Sequence, residues 1–261
     1  MARSDVIVSG AGPAGAFAAT ILARGGASVL LLDRATFPRH KLCGDTINPG
    51  GLALLRQAGL ADPVEAHGLP LDGMLVTGGS GVRISGTYGA GMVGRAWARS
   101  AFDEHLVRAA AAAGVDVRTG VRVTSPVIDG RGRVGGVALR LPSGGSEVCR
   151  ARWTIAAEGR RSPLALALGL SAHPRTPRRW AIGTYAEGVE DLGGYGEMHV
   201  RAGHYIGVAP AAGGLANLCL VTAGGERVPD PGARLWRAKE HRLRVVRPAA
   251  RDTARRRSSD R

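Results

Sequence analysis

The chain has few cysteines, almost no lysine and no long apolar run, and each shortage narrows what it can be. Its three cysteines, Cys43, Cys149 and Cys219, are odd in number and far apart. That excludes a disulfide framework and a zinc site, and points to a reducing, cytoplasmic setting. None of the seven histidines stands in an HxxxH or HExxH spacing, so no metal is expected. No stretch is apolar for long enough to span a bilayer, so no integral membrane segment is expected. The sequence enters its first strand too early for a signal peptide. Lysine occurs only at Lys41 and Lys239; every other basic residue is arginine. The net charge of +14 suggests a nucleic-acid partner. Its distribution argues against one: 12 of the 35 basic residues crowd into 226–261, and the rest scatter through loops.

What is present is read most directly in the first 33 residues. Val6-Ile-Val8 is a buried strand, and Gly10-Ala-Gly12-Pro13-Ala14-Gly15 a glycine turn. Pro13 to Arg24 is an alanine-rich helix, and Ser28 to Leu32 a second buried strand closing on Asp33. In this order they form the βαβ grip for an ADP-containing dinucleotide. Gly10 permits the tight turn, Gly12 lets the backbone approach a pyrophosphate, and Gly15 lets the helix pack closely on the strand. The helix N-terminus supplies unpaired N–H groups and the positive end of its dipole. Asp33, 18 residues beyond Gly15, is placed to receive ribose hydroxyls.

The remaining sequence alternates between such elements and β-rich text. A helix is predicted over Gly51–Ala58, antiparallel strands within 71–95, and a helix over Ala101–Ala113 with Ser100 as N-cap and Gly114 as C-cap. Val115–Val127 and Val134–Leu141 read as strands of a meander around the Asp129-Gly-Arg-Gly turn. Arg152-Trp-Thr-Ile-Ala-Ala-Glu158-Gly159 is a buried strand ending in an acidic-glycine turn, and from Trp180 to Val221 the pattern is β again. The fold class is α/β: a discontinuous Rossmann-like nucleotide domain (1–70 and 96–170) with an inserted antiparallel β-sheet substrate domain (71–95 and 171–225). Residues 226–261 lack apolar periodicity and are expected to form a disordered basic tail.

Three segments together resemble the flavin-dependent oxidoreductases of the para-hydroxybenzoate hydroxylase and geranylgeranyl reductase superfamily. They are Gly10–Gly15 with Asp33; Phe37-Pro-Arg-His-Lys-Leu-Cys43-Gly44-Asp45 with Asn48-Pro-Gly50; and Arg99-Ser-Ala-Phe-Asp103-Glu-His-Leu with Glu158-Gly159-Arg-Arg-Ser162. The resemblance implies an FAD-binding domain, with FAD held by Gly10, Gly12, Pro13, Ala14, Gly15, Asp33, Arg34, Lys41, Cys43, Gly44, Arg99, Val123, Glu158 and Gly159. It implies NAD(P)H as a transient reductant. Arg99 would place a planar bidentate cation near the pyrophosphate or ribose. Arg39 and Lys41 either meet phosphate or the pyrimidine end of the flavin, or belong to a solvated loop. Val123 either offers its backbone to the adenine edge or is simply core. Cys43 either lies beside the isoalloxazine or is buried and inert; Gly44 leaves room for a flat ring. Glu158 stands where the family has Asp and reads as a tolerated longer carboxylate.

No residue pair demands a catalytic base, so the chemistry is left to the cofactor. His199 and His204 face the predicted substrate sheet. Gly207 and Ala209 stand where the resembled isoprenoid reductases carry Trp and Phe. The tryptophans (Trp97, Trp153, Trp180, Trp236) are isolated, which leaves no halogenase motif. The expected function is NAD(P)H-driven monooxygenation or reduction of a hydrophobic small molecule. The alternatives are isoprenoid double-bond reduction and a dinucleotide-binding fragment without turnover. The second alternative arises because the family's third fingerprint, a Gly-Asp turn opening a helix, does not follow residue 160. The chain is therefore expected to be a C-terminally truncated or frameshifted member, homologous to about residue 232.

Overall fold

A computed structural model describes residues 4–176 and 178–223 together with the backbone of 247–248. The chain opens with β1 (Ser4–Ser9), α1 (Pro13–Arg24) and β2 (Val29–Leu32). It continues through β3 (Thr46–Ile47), α2 (Pro49–Gln57), α3 (Asp62–His67), β4 (Leu69–Leu71), β5 (Gly73–Thr77), β6 (Arg83–Thr87) and β7 (Gly94–Ala96). Next come α4 (Arg99–Ala112), β8 (Asp116–Arg118), β9 (Arg122–Ile128), β10 (Val134–Arg140), β11 (Ser146–Ala156) and α5 (Pro163–Ala167). The final strands are β12 (Arg179–Glu187), β13 (Tyr195–Arg201), β14 (His204–Ala211), β15 (Leu215–Ala223) and β16 (Arg247–Pro248). Apart from β16, the predicted basic tail 226–261 lies outside the described residues.

Backbone contacts divide the chain into two compact units, the first comprising Met1–Lys41 and Arg99–His173, the second Leu42–Ala98 and Pro174–Arg261. The contacts group 42–70 with the second unit. The first unit is built on a six-stranded sheet in the order β8-β2-β1-β11-β10-β9. Its β8, β2, β1 and β11 run parallel, and β10 and β9 complete it antiparallel. Ile7, Leu30, Leu32, Val137, Leu139 and Leu164 form its core on one face, each nearly inaccessible. Helix α1 packs against α4. Two glycines set the geometry of the opening turn. Gly10 has φ +100, and a Cβ there would lie 2.5 Å from the Ala157 carbonyl oxygen. A Cβ on Gly15 would lie 1.8 Å from the Gly10 oxygen, so the helix can approach the turn only without one.

In the second unit a seven-stranded sheet runs β16-β12-β15-β14-β13-β5-β6, and β3-β7-β4 form a small separate sheet. The predicted antiparallel pattern holds with one exception. Strand β5 pairs parallel with β13, because it arrives from the 42–98 segment instead of a hairpin. The stretch 71–95 is likewise divided, since β7 leaves the large sheet for β3 and β4.

Three local expectations are corrected. Helix α4 begins at Arg99, so Ser100 lies inside the first turn instead of capping it. Helix α2 begins at Pro49, not Gly51, because the Asn48 side chain accepts the Gly51 N–H at 2.8 Å and Pro49 already has a helical φ. The short helices α3 and α5 were not expected from the sequence. Each has a proline in its first two positions, Pro63 in α3 and Pro163 in α5, and Ser162 caps α5 by accepting the Ala165 N–H.

Candidate functional site

The first unit gathers most of the predicted residues at the N-terminus of α1. Pro13 occupies the first helical turn, where its missing N–H costs nothing, and no acidic side chain sits in that turn. The amides of the first turn therefore have no acceptor within the helix, and the positive end of its dipole is left uncompensated by the helix itself. Two guanidinium groups stand over this point. A Cβ on Gly12 would lie 3.3 Å from Arg39 Nη2 and 3.7 Å from Arg99 Nη2.

A single carboxylate holds both arginines. Asp103, fully buried on α4, accepts from Arg99 Nε at 2.5 Å and pairs with Arg39 Nη2 at 3.1 Å. Arg99 and Asp103 are four residues apart on one helix face, which is why the pair forms locally. Arg39 Nε is buried with no hydrogen-bond partner among the described residues. Lys41 joins the cluster. Burial first, then the nearby charges of Arg99 and Arg39, lower its pKa from the ordinary lysine value, while Asp103 and Asp33 oppose the shift. Three cations thus face two carboxylates beside a helix N-terminus, an arrangement suited to a pyrophosphate.

Of the other predicted residues of the first unit, Asp33, Glu158 and Gly159 border this point. The Asp33 carboxylate is buried and accepts the N–H groups of Ala11 and Ala35, both at 2.8 Å, so it braces the glycine turn. Arg34 is exposed at the end of β2. Glu158 receives two hydroxyls, Ser9 Oγ and Ser162 Oγ, both at 2.6 Å, and ties the end of β1 to the start of α5. Gly159 has φ +80, and a Cβ on it would lie 3.9 Å from Lys41 Nζ. Val123 is buried in the core on the edge strand β9, opposite Leu139.

Cys43 and Gly44 belong to the second unit. The Cys43 carbonyl accepts from Asn217 Nδ2 at 3.0 Å, and Gly44 is exposed, with only Thr46 Oγ1 near the position a Cβ would take. His199, nearly buried, lies between Thr77 Oγ1 and Glu197 Oε2, each at 2.9 Å, and His204 bonds the Ala202 carbonyl. Both are satisfied by their neighbours. Asp103 stands four residues after Arg99, the spacing that signals an ion pair along one helix face. A cavity of about 600 Å³ lined by Ser4, Asp5, Asp129, Arg152 and Trp153 lies at the opposite end of β1 from the glycine turn. It holds none of the residues above. Among the described residues no three metal-ligating side chains converge, and no helix is long and apolar enough to cross a membrane.

Comparison with known proteins follows the same residues. The family model for the FAD binding domain matches residues 3–214. Menaquinone reductase of Mycobacterium tuberculosis is 37% identical over 192 residues, covering 70% of this chain and 44% of that protein. Digeranylgeranylglycerophospholipid reductase 2 of Methanopyrus kandleri is 32% identical over 237 residues, covering 88% of this chain and 58% of that protein. Among solved structures, a myxobacterial FAD-dependent chondrochloren halogenase superposes with a TM-score of 0.80 at 25% identity, over 91% of this chain and 57% of its own. The chain spans about half the length of these relatives. With the matched region embracing the glycine turn, the arginine cluster and Glu158-Gly159, the chain belongs to the FAD-binding-domain family of flavin-dependent oxidoreductases.

Proposed function

We propose that this chain is a flavin-dependent oxidoreductase that takes electrons from NAD(P)H and either reduces a hydrophobic small molecule with them or passes them to O2 to oxygenate it. The observation that carries the reading is the convergence of Arg39, Arg99 and Lys41 on the N-terminus of α1. The residues present fit FAD. Gly12 leaves the approach open, the unpartnered Arg39 Nε offers a donor, and Ala14 and Gly15 present their amides beside the Pro13 turn. Gly10, Gly12, Pro13, Ala14, Gly15, Arg39, Lys41 and Arg99 would hold the pyrophosphate. Asp33 and Arg34 would meet the ADP ribose, and the Val123 backbone the adenine. Glu158 and Gly159 shape the neighbouring turn. When bound, FAD supplies the hydride or oxygen chemistry. The chain's own groups bind it, orient it and neutralise its phosphates.

Support for an apolar substrate comes from the two curated relatives, one named for menaquinone and the other for a geranylgeranyl lipid. The test is anaerobic reduction. Protein loaded with FAD should bleach on adding NADH or NADPH and recover its colour on adding a menaquinone-type quinone. Flavin that stays oxidised with both nicotinamides would exclude them as reductants. Bleaching without recovery would exclude quinone, leaving oxygenation to be assayed by substrate-dependent consumption of O2.

A further inference from the structure

We propose that Cys43 and Cys219 form a redox pair, which a peroxide closes into a disulfide that pins segment 42–45 to strands β12 and β15. Both residues belong to the second unit. Both thiols are free and only partly buried, so a small oxidant has access to them. The third cysteine, Cys149, belongs to the first unit.

Side-chain contacts lay segment 42–45 across one face of the sheet. Gly183 of β12 is the register partner of Cys219 on β15, and a Cβ on Gly183 would lie 2.2 Å from Leu42 Cδ1. Two residues along, Tyr185 of β12 is paired with Asn217 of β15. Asn217 Nδ2 donates to the Cys43 carbonyl at 3.0 Å and to Asp45 Oδ2 at 2.7 Å, and the Tyr185 hydroxyl donates to the same carboxylate oxygen. Asn217 and Cys219 alternate with Leu218 along one strand, so their side chains rise from the same face, the one this segment covers. Leu42 is therefore held over the row of Cys219 and Asp45 over the row of Asn217, with Cys43 between them. The register partners of Cys219 on both flanking strands are glycines, Gly183 of β12 and Gly207 of β14. Neither strand raises a side chain between Cys219 and the segment above it. Gly183 also lets the segment lie close, which matters because a disulfide tolerates Cα separations only up to about 7 Å. Burial first, and then the neighbouring Cys43, raise the Cys219 pKa above the ordinary thiol value.

That shift keeps Cys219 a thiol and assigns the first attack to Cys43. The Cys43 thiolate displaces hydroxide from hydrogen peroxide, breaking the O–O bond and becoming a sulfenic acid. Cys219 then attacks that sulfur, the S–S bond forms, and the sulfenic oxygen leaves with the Cys219 proton as water. The pair loses two electrons and two protons, and the peroxide becomes two molecules of water. A dithiol reductant reopens the bridge by exchange.

The experiment treats the full chain with hydrogen peroxide, alkylates the remaining thiols and maps the peptides by mass spectrometry. A peptide carrying Cys43 should appear joined to one carrying Cys219, lighter than the two together by the mass of two hydrogens, with Cys149 alkylated. Dithiothreitol should release it. Cys43→Ser and Cys219→Ser should each abolish the link, and Cys149→Ser should keep it. The wild-type map decides the matter even where a serine variant fails to fold. A bridge between residues so distant in sequence restricts the unfolded chain, so the oxidised wild type should unfold several degrees above the reduced protein. Peroxide should leave the midpoints of Cys43→Ser and Cys219→Ser without that rise. Thiols that stay unreacted, Cys43 carried on to sulfinic acid beside a free Cys219, a bridge to Cys149 or a bridge between two chains would each overturn the proposal. A Cys43–Cys219 bridge that leaves the thermal midpoint unchanged would overturn it too, since the segment would not then be pinned.

Discussion

At the N-terminus of α1 two guanidinium groups share one fully buried carboxylate, so each residue of this cluster has a different expected phenotype. Replacing Asp103 by Ala leaves Arg39 and Arg99 facing each other without their counter-charge. It should cost about 3 kcal/mol of stability, read as a lower denaturant midpoint. Replacing Arg99 by Ala removes a cation from the phosphate end and should weaken FAD binding about 10–100-fold by flavin-fluorescence titration. Lys41 tests the electrostatics through pH. Its pKa is lowered in the free protein, and a bound phosphate would raise it again. Affinity should therefore fall as the solution is made alkaline through that lowered pKa, and Lys41→Met should lose the slope. Cys149 gives a separate alkaline signature. Burial, and then the hydrogen bond with Glu147, raise its pKa from 9.0 to about 11. A group with a raised folded pKa contributes stability that is complete below the unfolded value, so the thermal midpoint should decline between pH 9.0 and about 11, less steeply in Cys149→Ala.

Among the elements, α1 was the most legible in the sequence. Its bounds of Pro13 and Arg24 follow from the glycine turn before it and Gly25 after it, both local signals. Local signals also misled. Ser100 is a good cap residue, but Arg99 is drawn into the helix by its bond to Asp103, one turn on. In its own segment Asn48 before Pro49 is the true cap signal, and the apolar run that starts later lies inside the helix. The glycines of the turn give the sharpest test at this scale. Gly15→Ala must displace α1 or the Gly10 carbonyl, and should cost about 3 kcal/mol or prevent folding. Gly79→Ala, with no atom within 4 Å of the new methyl, should stay within about 0.5 kcal/mol of wild type. Thermal unfolding of the pair decides whether tight packing at the turn, and not glycine itself, is what the fold requires.

For the molecule as a whole, the sequence revealed what is encoded over short distances. The βαβ opening, the Arg99 helix and the Glu158-Gly159 turn each carry their own motif, and the family model spans all three. What it concealed is encoded over long distances. Asn217 and Asp45 are 172 residues apart, and neither stands in a pattern that names the other. The parallel pairing of β5 with β13 was concealed in the same way, because register between distant strands is set by packing and not by periodicity. The parallel half of the first unit and the arginine cluster together support the central claim that this chain grips FAD through the N-terminus of α1. The most direct measurement is flavin retention. The protein is incubated with FAD, freed of unbound flavin by gel filtration, and its visible absorbance is compared with that of an Arg39→Ala/Arg99→Ala double variant. The account predicts a yellow wild type with about one FAD per chain and a nearly colourless variant that still folds, shown by its far-UV circular dichroism, though less stably because the buried Asp103 has lost both partners. A colourless wild type, or a double variant that holds FAD as tightly as the wild type, would contradict it.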